Sequence, residues 1–113
     1  MKFLIEIANE SHFRYAEAIC ELIRESAKSR GTGIAERKPE YIRKKMENGN
    51  AVIALQGEEL AGFCYIEVWD HEKYVANSGL IVAPQFRKAG LAKAIKKTAF
   101  NLSREKYPQS KLF

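Results

Sequence analysis

Residues 2–8, KFLIEIA, mix β-branched and aromatic residues with charged ones in partial alternation, the pattern of a strand. The period then changes. Tyr15, Ala16, Ile19, Cys20, Ile23 and Ala27 recur at helical spacing, which predicts a helix over 11–28 with one apolar stripe. Ser11 is the expected N-cap. His12 and Arg14 make that cap imperfect, because the dipole at a helix start favours negative charge. Residues 29–39 read as a loop in which Gly31 and Gly33 end the helix. A short second helix follows over 39–49. Pro39 sits in its first turn with the φ that a helix needs, and Asn48 and Gly49 stop it.

Three strand patterns come next, over 51–56, 59–70 and 74–84. Gly57 and Glu58 separate the first two, and His71, Glu72 and Lys73 separate the last two. Connections this short predict antiparallel neighbours. In the middle strand Phe63, Tyr65, Glu67 and Trp69 share one face, and Gly62, Cys64, Ile66 and Val68 share the other. Both faces are largely apolar, so this strand is expected to be covered on both sides. A last helix is predicted over 88–104. Leu91, Ala94, Ile95, Thr98, Ala99 and Leu102 point inward and Lys93, Lys96, Lys97 and Arg104 point elsewhere. The final SKLF reads as the opening of another strand. The order β-α-α-β-β-β-α-β predicts a layered α+β (α/β) fold.

Composition narrows this picture only a little. The chain has 113 residues, so one domain over 1–113 is the default. No apolar run reaches the roughly 20 residues that span a bilayer. MKFLIEIANE lacks the apolar core and cleavage site of a secretory leader, which favours a cytoplasmic protein. Cys20 and Cys64 show no CxxC spacing and are expected as two buried free thiols, with no metal site. The net charge of +5 favours an anionic partner without choosing among nucleic acid, a membrane surface and a phosphorylated cofactor.

The segment VAPQFRKAGLA, Val82 to Ala92, makes that choice sharper. A helix N-terminus leaves backbone N–H groups unpaired and carries partial positive charge, so it attracts anions. Here Pro84 ends a strand, Arg87 and Lys88 add charge, and Gly90 removes the side chain that would block a phosphate. GxxxxGK[ST] is absent, and Gly31-Thr32-Gly33 does not continue to GxGxxG.

The same segment resembles the acetyl-CoA signature of the GNAT acetyltransferase superfamily: a strand ending V-x-P, an aromatic residue, then R/Q-x-x-G-x-G/A. Arg87, Gly90 and Ala92 occupy its defining positions, and Pro84 and Phe86 match the lead-in. The resemblance implies an N-acetyltransferase that uses acetyl-CoA and a primary amine of a small molecule, with an amino acid as one candidate. It implies that Leu80, Ile81 and Val82 offer backbone groups to the pantetheine arm. It assigns the diphosphate to the loop of Arg87, Lys88, Ala89, Gly90, Leu91 and Ala92. It also implies further strands and a helix beyond Phe113, so the chain is expected to be the N-terminal portion of such a domain. An exposed strand edge would then invite a second copy to complete the sheet.

Acetyl transfer needs a proton acceptor. Glu67 is the candidate, because it interrupts an apolar face beside Tyr65 and Trp69. Arg30, in the loop where the family builds part of its acceptor site, is the candidate for an acceptor carboxylate. The competing reading is a non-catalytic basic module that binds nucleic acid or another anion through Lys93, Lys96 and Lys97. The aromatic and basic signatures of common RNA modules are lacking, so nucleic acid is disfavoured.

Overall fold

Five strands build one sheet whose spatial order is the chain order, in a computed structural model that describes residues 2–30, 37–87 and 89–112. They are β1 (Leu4–Ile7), β2 (Ala51–Gln56), β3 (Glu59–Trp69), β4 (Tyr74–Val82) and β5 (Lys111–Leu112). The first four pair antiparallel in succession, β2 with β3 and β3 with β4 across short turns and β1 with β2 across the segment that carries both first helices. β5 lies parallel to β4, with Lys111 opposite Tyr74 and Leu112 opposite Val75. The helices are α1 (Ala16–Arg30), α2 (Pro39–Glu47) and α3 (Leu91–Lys106).

The sheet carries an apolar cluster on each face. Ile19 and Ile23 of α1 and Ile42 and Met46 of α2 cover Ile53, Phe63 and Tyr65. Leu91, Ile95, Ala99 and Leu102 of α3 cover Val52, Cys64, Ile66 and Val75. The expected two-sided burial of β3 is therefore observed. Each fully buried aliphatic side chain contributes about 1.5–3 kcal/mol, so these two layers hold the β4–α3 junction in place.

Several boundaries differ from the sequence reading. A 3₁₀ turn, Glu10–Tyr15, precedes α1, and its cap is Asn9 rather than Ser11. The Asn9 side chain accepts from the Ser11 N–H at 2.9 Å, and His12 Nδ1 accepts from the Asn9 N–H at 3.0 Å. His12 thus serves as the reciprocal partner of a capping box instead of spoiling a cap. Its ring is buried, with Nε2 3.5 Å from Glu6 Oε2. At the other end of the chain α3 starts at Leu91 rather than 88, because Gly90 is left-handed at φ 72° and breaks the turn before it. Gly31 and Gly33 lie outside the described residues.

Two local irregularities mark β4 and the turn that leads into it. The first is a bulge in β4. Phe63 faces Ile81 and Tyr65 faces Ser78, so Gly79 and Leu80 together stand opposite the single residue Cys64. The Cys64 thiol donates to Ser78 O at 3.3 Å, across the irregularity. The second is the β3–β4 turn, where Asp70, His71 and Glu72 all have positive φ, at 54°, 55° and 67°. Left-handed backbone costs about 1–2 kcal/mol per residue. The segment after α3 holds it: the Ser110 hydroxyl donates to Glu72 O, and the Lys111 N–H donates to Lys73 O at 2.8 Å.

Burial pushes the Cys64 thiol up to about 11 from 9.0. The unfolded chain therefore releases this proton at lower pH than the native chain. The contribution is complete below pH 9 and is lost as pH rises from 9 towards 11. We expect the urea midpoint to fall over that window and Cys64→Ser to flatten the fall. An unchanged slope in the variant would assign the loss to other groups.

Candidate functional site

β4 ends where Ala83 donates its N–H to Ala61 O at 2.8 Å, the last bond it makes to β3. Pro84 then opens a 3₁₀ turn, Pro84–Phe86. Phe86 anchors this turn: it is buried and meets Phe3 edge-on at 5.3 Å. The Ala89 N–H returns to Phe86 O at 3.2 Å, and Gly90 caps α3. The Ala94 N–H donates back to Gly90 O at 3.4 Å. The amides of Leu91, Ala92 and Lys93, in the first turn, have no intrahelical acceptor. Gly90 is exposed, and a Cβ built there would meet nothing within 4 Å. The cradle faces open space and is not sealed by packing.

Beside it lies a cavity of about 270 Å³ lined by Leu80, Ile81, Val82, Arg87 and Ala92. All five are residues singled out in the sequence, so the fold brings the strand and loop candidates to one place. Among the described residues, the edge of β4 beyond Val75 has no strand partner other than β3. Arg87 donates from Nε to Val82 O at 3.2 Å. Lys88 lies outside the described residues. The open cradle, the cationic Arg87 and the backbone groups along the cavity fit an extended ligand with amides at one end and a diphosphate at the other.

Glu67 lies on β3, on the face covered by α1 and α2. Tyr65 and Trp69 alternate with it on the same strand. Trp69 stacks on Tyr74, its cross-strand partner, with ring centroids 5.8 Å apart, and is 45% exposed. The Tyr41 hydroxyl donates to Glu67 Oε1, and Lys45 Nζ sits 3.3 Å from Oε2. Lys45 also donates to Ile66 O at 2.8 Å and lies over the rings of Tyr41 and Tyr65 at 5.5 and 5.6 Å. Arg37 Nε donates to the Tyr65 hydroxyl at 3.3 Å. Burial, then the hydrogen bond to Glu67, raises the pKa of the Tyr41 hydroxyl well above that of a free phenol. A cavity of about 220 Å³ opens beside this cluster, lined by Tyr41, Lys44, Lys45, Asn48 and Glu67.

The sequence reading missed Tyr41, Lys45 and Arg37. One signal was available: Tyr41 and Lys45 are four apart on α2 and so share a face. Arg30 ends α1, and its side chain lies outside the described residues, as does the loop 31–36. Lys93, Lys96 and Lys97 are exposed on α3. Among the described residues, no helix is long and apolar enough to cross a membrane.

Comparison with solved structures places this architecture among acetyltransferases. N-acetylglutamate synthase from Neisseria gonorrhoeae, complexed with coenzyme A and N-acetyl-glutamate, superposes with a TM-score of 0.74 at 18% identity. The match covers 93% of this chain and 23% of that one. Diaminobutyrate acetyltransferase from Paenibacillus lautus, complexed with L-2,4-diaminobutyric acid and coenzyme A, gives 0.71 at 17% identity, covering 88% of this chain and 57% of that one. The ribosomal-protein-S18-alanine N-acetyltransferase from Escherichia coli gives 0.66 at 11% identity, covering 93% and 61%. At these identities the likeness is one of fold, and the chain spans less than two thirds of each of these proteins. A search of curated proteins by sequence returns no match. The profile of the acetyltransferase (GNAT) family matches residues 16–111, which spans both helices of one layer, the bulged strand and the cradle, and the chain belongs to that family.

Proposed function

We propose that this chain binds acetyl-CoA and forms the catalytic part of an N-acetyltransferase acting on a primary amine of a small molecule, with an amino acid as the favoured acceptor. The observation that carries the reading is the open backbone at Gly90 together with a cavity lined by Leu80, Ile81 and Val82 of the strand and by Arg87 and Ala92 on either side of that glycine. In this reading the loop of Arg87, Lys88, Ala89, Gly90, Leu91 and Ala92 holds the diphosphate through backbone amides and positive charge. The backbone of Leu80, Ile81 and Val82 holds the amide-bearing arm. Acetyl-CoA supplies an acyl thioester that an amine can attack. Glu67 takes the proton from the incoming amine, directly or through water. Tyr41 and Lys45 position its carboxylate. Arg30 pairs with a carboxylate on the acceptor. Neighbours complexed with diaminobutyric acid and with N-acetyl-glutamate support the amino-acid class. A cytoplasmic location suits such a substrate, and a second copy completing the sheet at its exposed edge, clear of Leu80, Ile81 and Val82, is the assembly this reading favours.

Calorimetric titration of the folded chain with acetyl-CoA tests the reading, and saturable binding is expected. A folded sample that takes up no acetyl-CoA at millimolar concentration would remove it. Glu67→Gln should lower kcat and leave the affinity for acetyl-CoA unchanged; full turnover in that variant would strip Glu67 of its role. Sedimentation with and without acetyl-CoA reads the assembly.

A further inference from the structure

Within the cavity beside β4, Arg87 Nε donates to Val82 O at 3.2 Å. Strand residues alternate, and the next N–H along, that of Ala83, points to Ala61 O in β3. Val82 O therefore points away from β3, into the cavity that Val82 and Arg87 line together. A backbone carbonyl on an unpaired strand edge demands a donor. Arg87 supplies it from five residues further along the chain. The turn that carries Arg87 is firm at its base, because its own N–H returns to Pro84 O at 3.4 Å and Phe86 is buried.

We propose that Arg87 is a specificity-determining latch: in the free protein its side chain occupies the Val82 carbonyl, and its displacement is compensated by a charged contact only when the ligand carries a diphosphate. This rests on the acetyl-CoA reading. An amide of the ligand's arm competes with Arg87 for the cavity side of the Val82 carbonyl, which the arginine side chain occupies, so entry of the arm breaks the Arg87–Val82 hydrogen bond. The freed guanidinium is then beside the cradle at Gly90, where a diphosphate can take it as a charged donor. A ligand with both parts exchanges one contact for a stronger one. A neutral ligand with the arm alone displaces Arg87, which is exposed, into water without a charged partner. The latch thus discriminates against the unphosphorylated arm, because that arm must displace a hydrogen bond and supplies no charged partner in its place.

The test compares acetyl-CoA with pantetheine, the neutral arm, by calorimetry on the wild-type chain, Arg87→Ala and Arg87→Met. Arg87→Met keeps the aliphatic stem and removes the donor, which separates the hydrogen bond from packing. Both variants should bind pantetheine more tightly than wild type, by about two- to tenfold, the range of one hydrogen bond. Both should bind acetyl-CoA no more tightly than wild type. Pantetheine affinity that is unchanged or weaker in both variants, including no detectable binding, would overturn the latch while wild-type binding of acetyl-CoA leaves the cofactor reading standing. Failure of the wild-type chain to bind acetyl-CoA removes that reading instead, and the latch with it. A readout without ligand is solvent exchange of the Arg87 Nε proton. It should be slower than in an arginine whose Nε donates only to water, and exchange at that unprotected rate would overturn the latch.

Discussion

Gly79→Ala should destabilise the fold by about 2–5 kcal/mol, a large fraction of what holds a domain of this size together. Two costs add. Gly79 has φ +61°, where an alanine is strained by about 1–2 kcal/mol. A Cβ there would also stand 2.0 Å from Cε1 and 2.6 Å from Cδ1 of Tyr65, and overpacking a core costs about 1–3 kcal/mol more. The ring cannot step aside. Tyr65 is buried, flanked by Phe63 at 6.3 Å and Tyr41 at 5.6 Å, and its hydroxyl receives Arg37. Gly57→Ala is the control, since Gly57 has the same φ of +61° with nothing within 4 Å. It should show the backbone cost alone, about 1–2 kcal/mol. Urea unfolding of the two variants separates backbone from contact. Equal losses would mean that Tyr65 does not rest on Gly79, and that the bulge in β4 has some other support.

Gly90→Asp should leave the fold almost untouched and reduce acetyl-CoA affinity by at least about a hundredfold. The position is left-handed, but aspartate is among the residues that visit this region with least strain. No neighbour crowds it, and a negative charge at the start of α3 is worth about 0.3–1 kcal/mol through the helix dipole. Stability therefore stays within about 1 kcal/mol of wild type. The same carboxylate would stand in the cradle assigned to a diphosphate, where juxtaposed like charges cost several kcal/mol, and about 2.7 kcal/mol is a hundredfold. Raising the salt concentration should recover part of the loss, because screening weakens the repulsion. Unchanged affinity at low salt would place the anion elsewhere and remove the loop from the site. Stability and binding move independently in this variant, which separates a damaged site from a damaged fold.

These two glycines differ in how plainly the chain announces them. Gly90 stands between a proline-ended strand and an amphipathic helix, and its role follows from local chemistry: unpaired amides at a helix start need no knowledge of the rest of the molecule. Gly79 sits inside a strand pattern, where glycine often marks a bulge or a close approach. Which residue approaches is set by β3, through a register in which Tyr65 faces Ser78. Glu67 shows the same limit. Alternation put it on a face with Tyr65, but the partners it meets come from α2, more than twenty residues earlier in the chain. The first cap was misread for a related reason. Ser11 has the favoured chemistry, yet Asn9 caps because β1 ends at Ile7 and His12 turns inward to receive the Asn9 N–H.

Element order, the two apolar layers and the anion-attracting junction were written in the chain itself, because periodicity and helix-end chemistry act over a few neighbouring residues. The ring on Gly79, the Tyr41 and Lys45 partners of Glu67, and the hold of Arg87 on Val82 were decided only when the sheet closed. Those contacts depend on strand register and on where a single extra residue is accommodated, and no local preference encodes either.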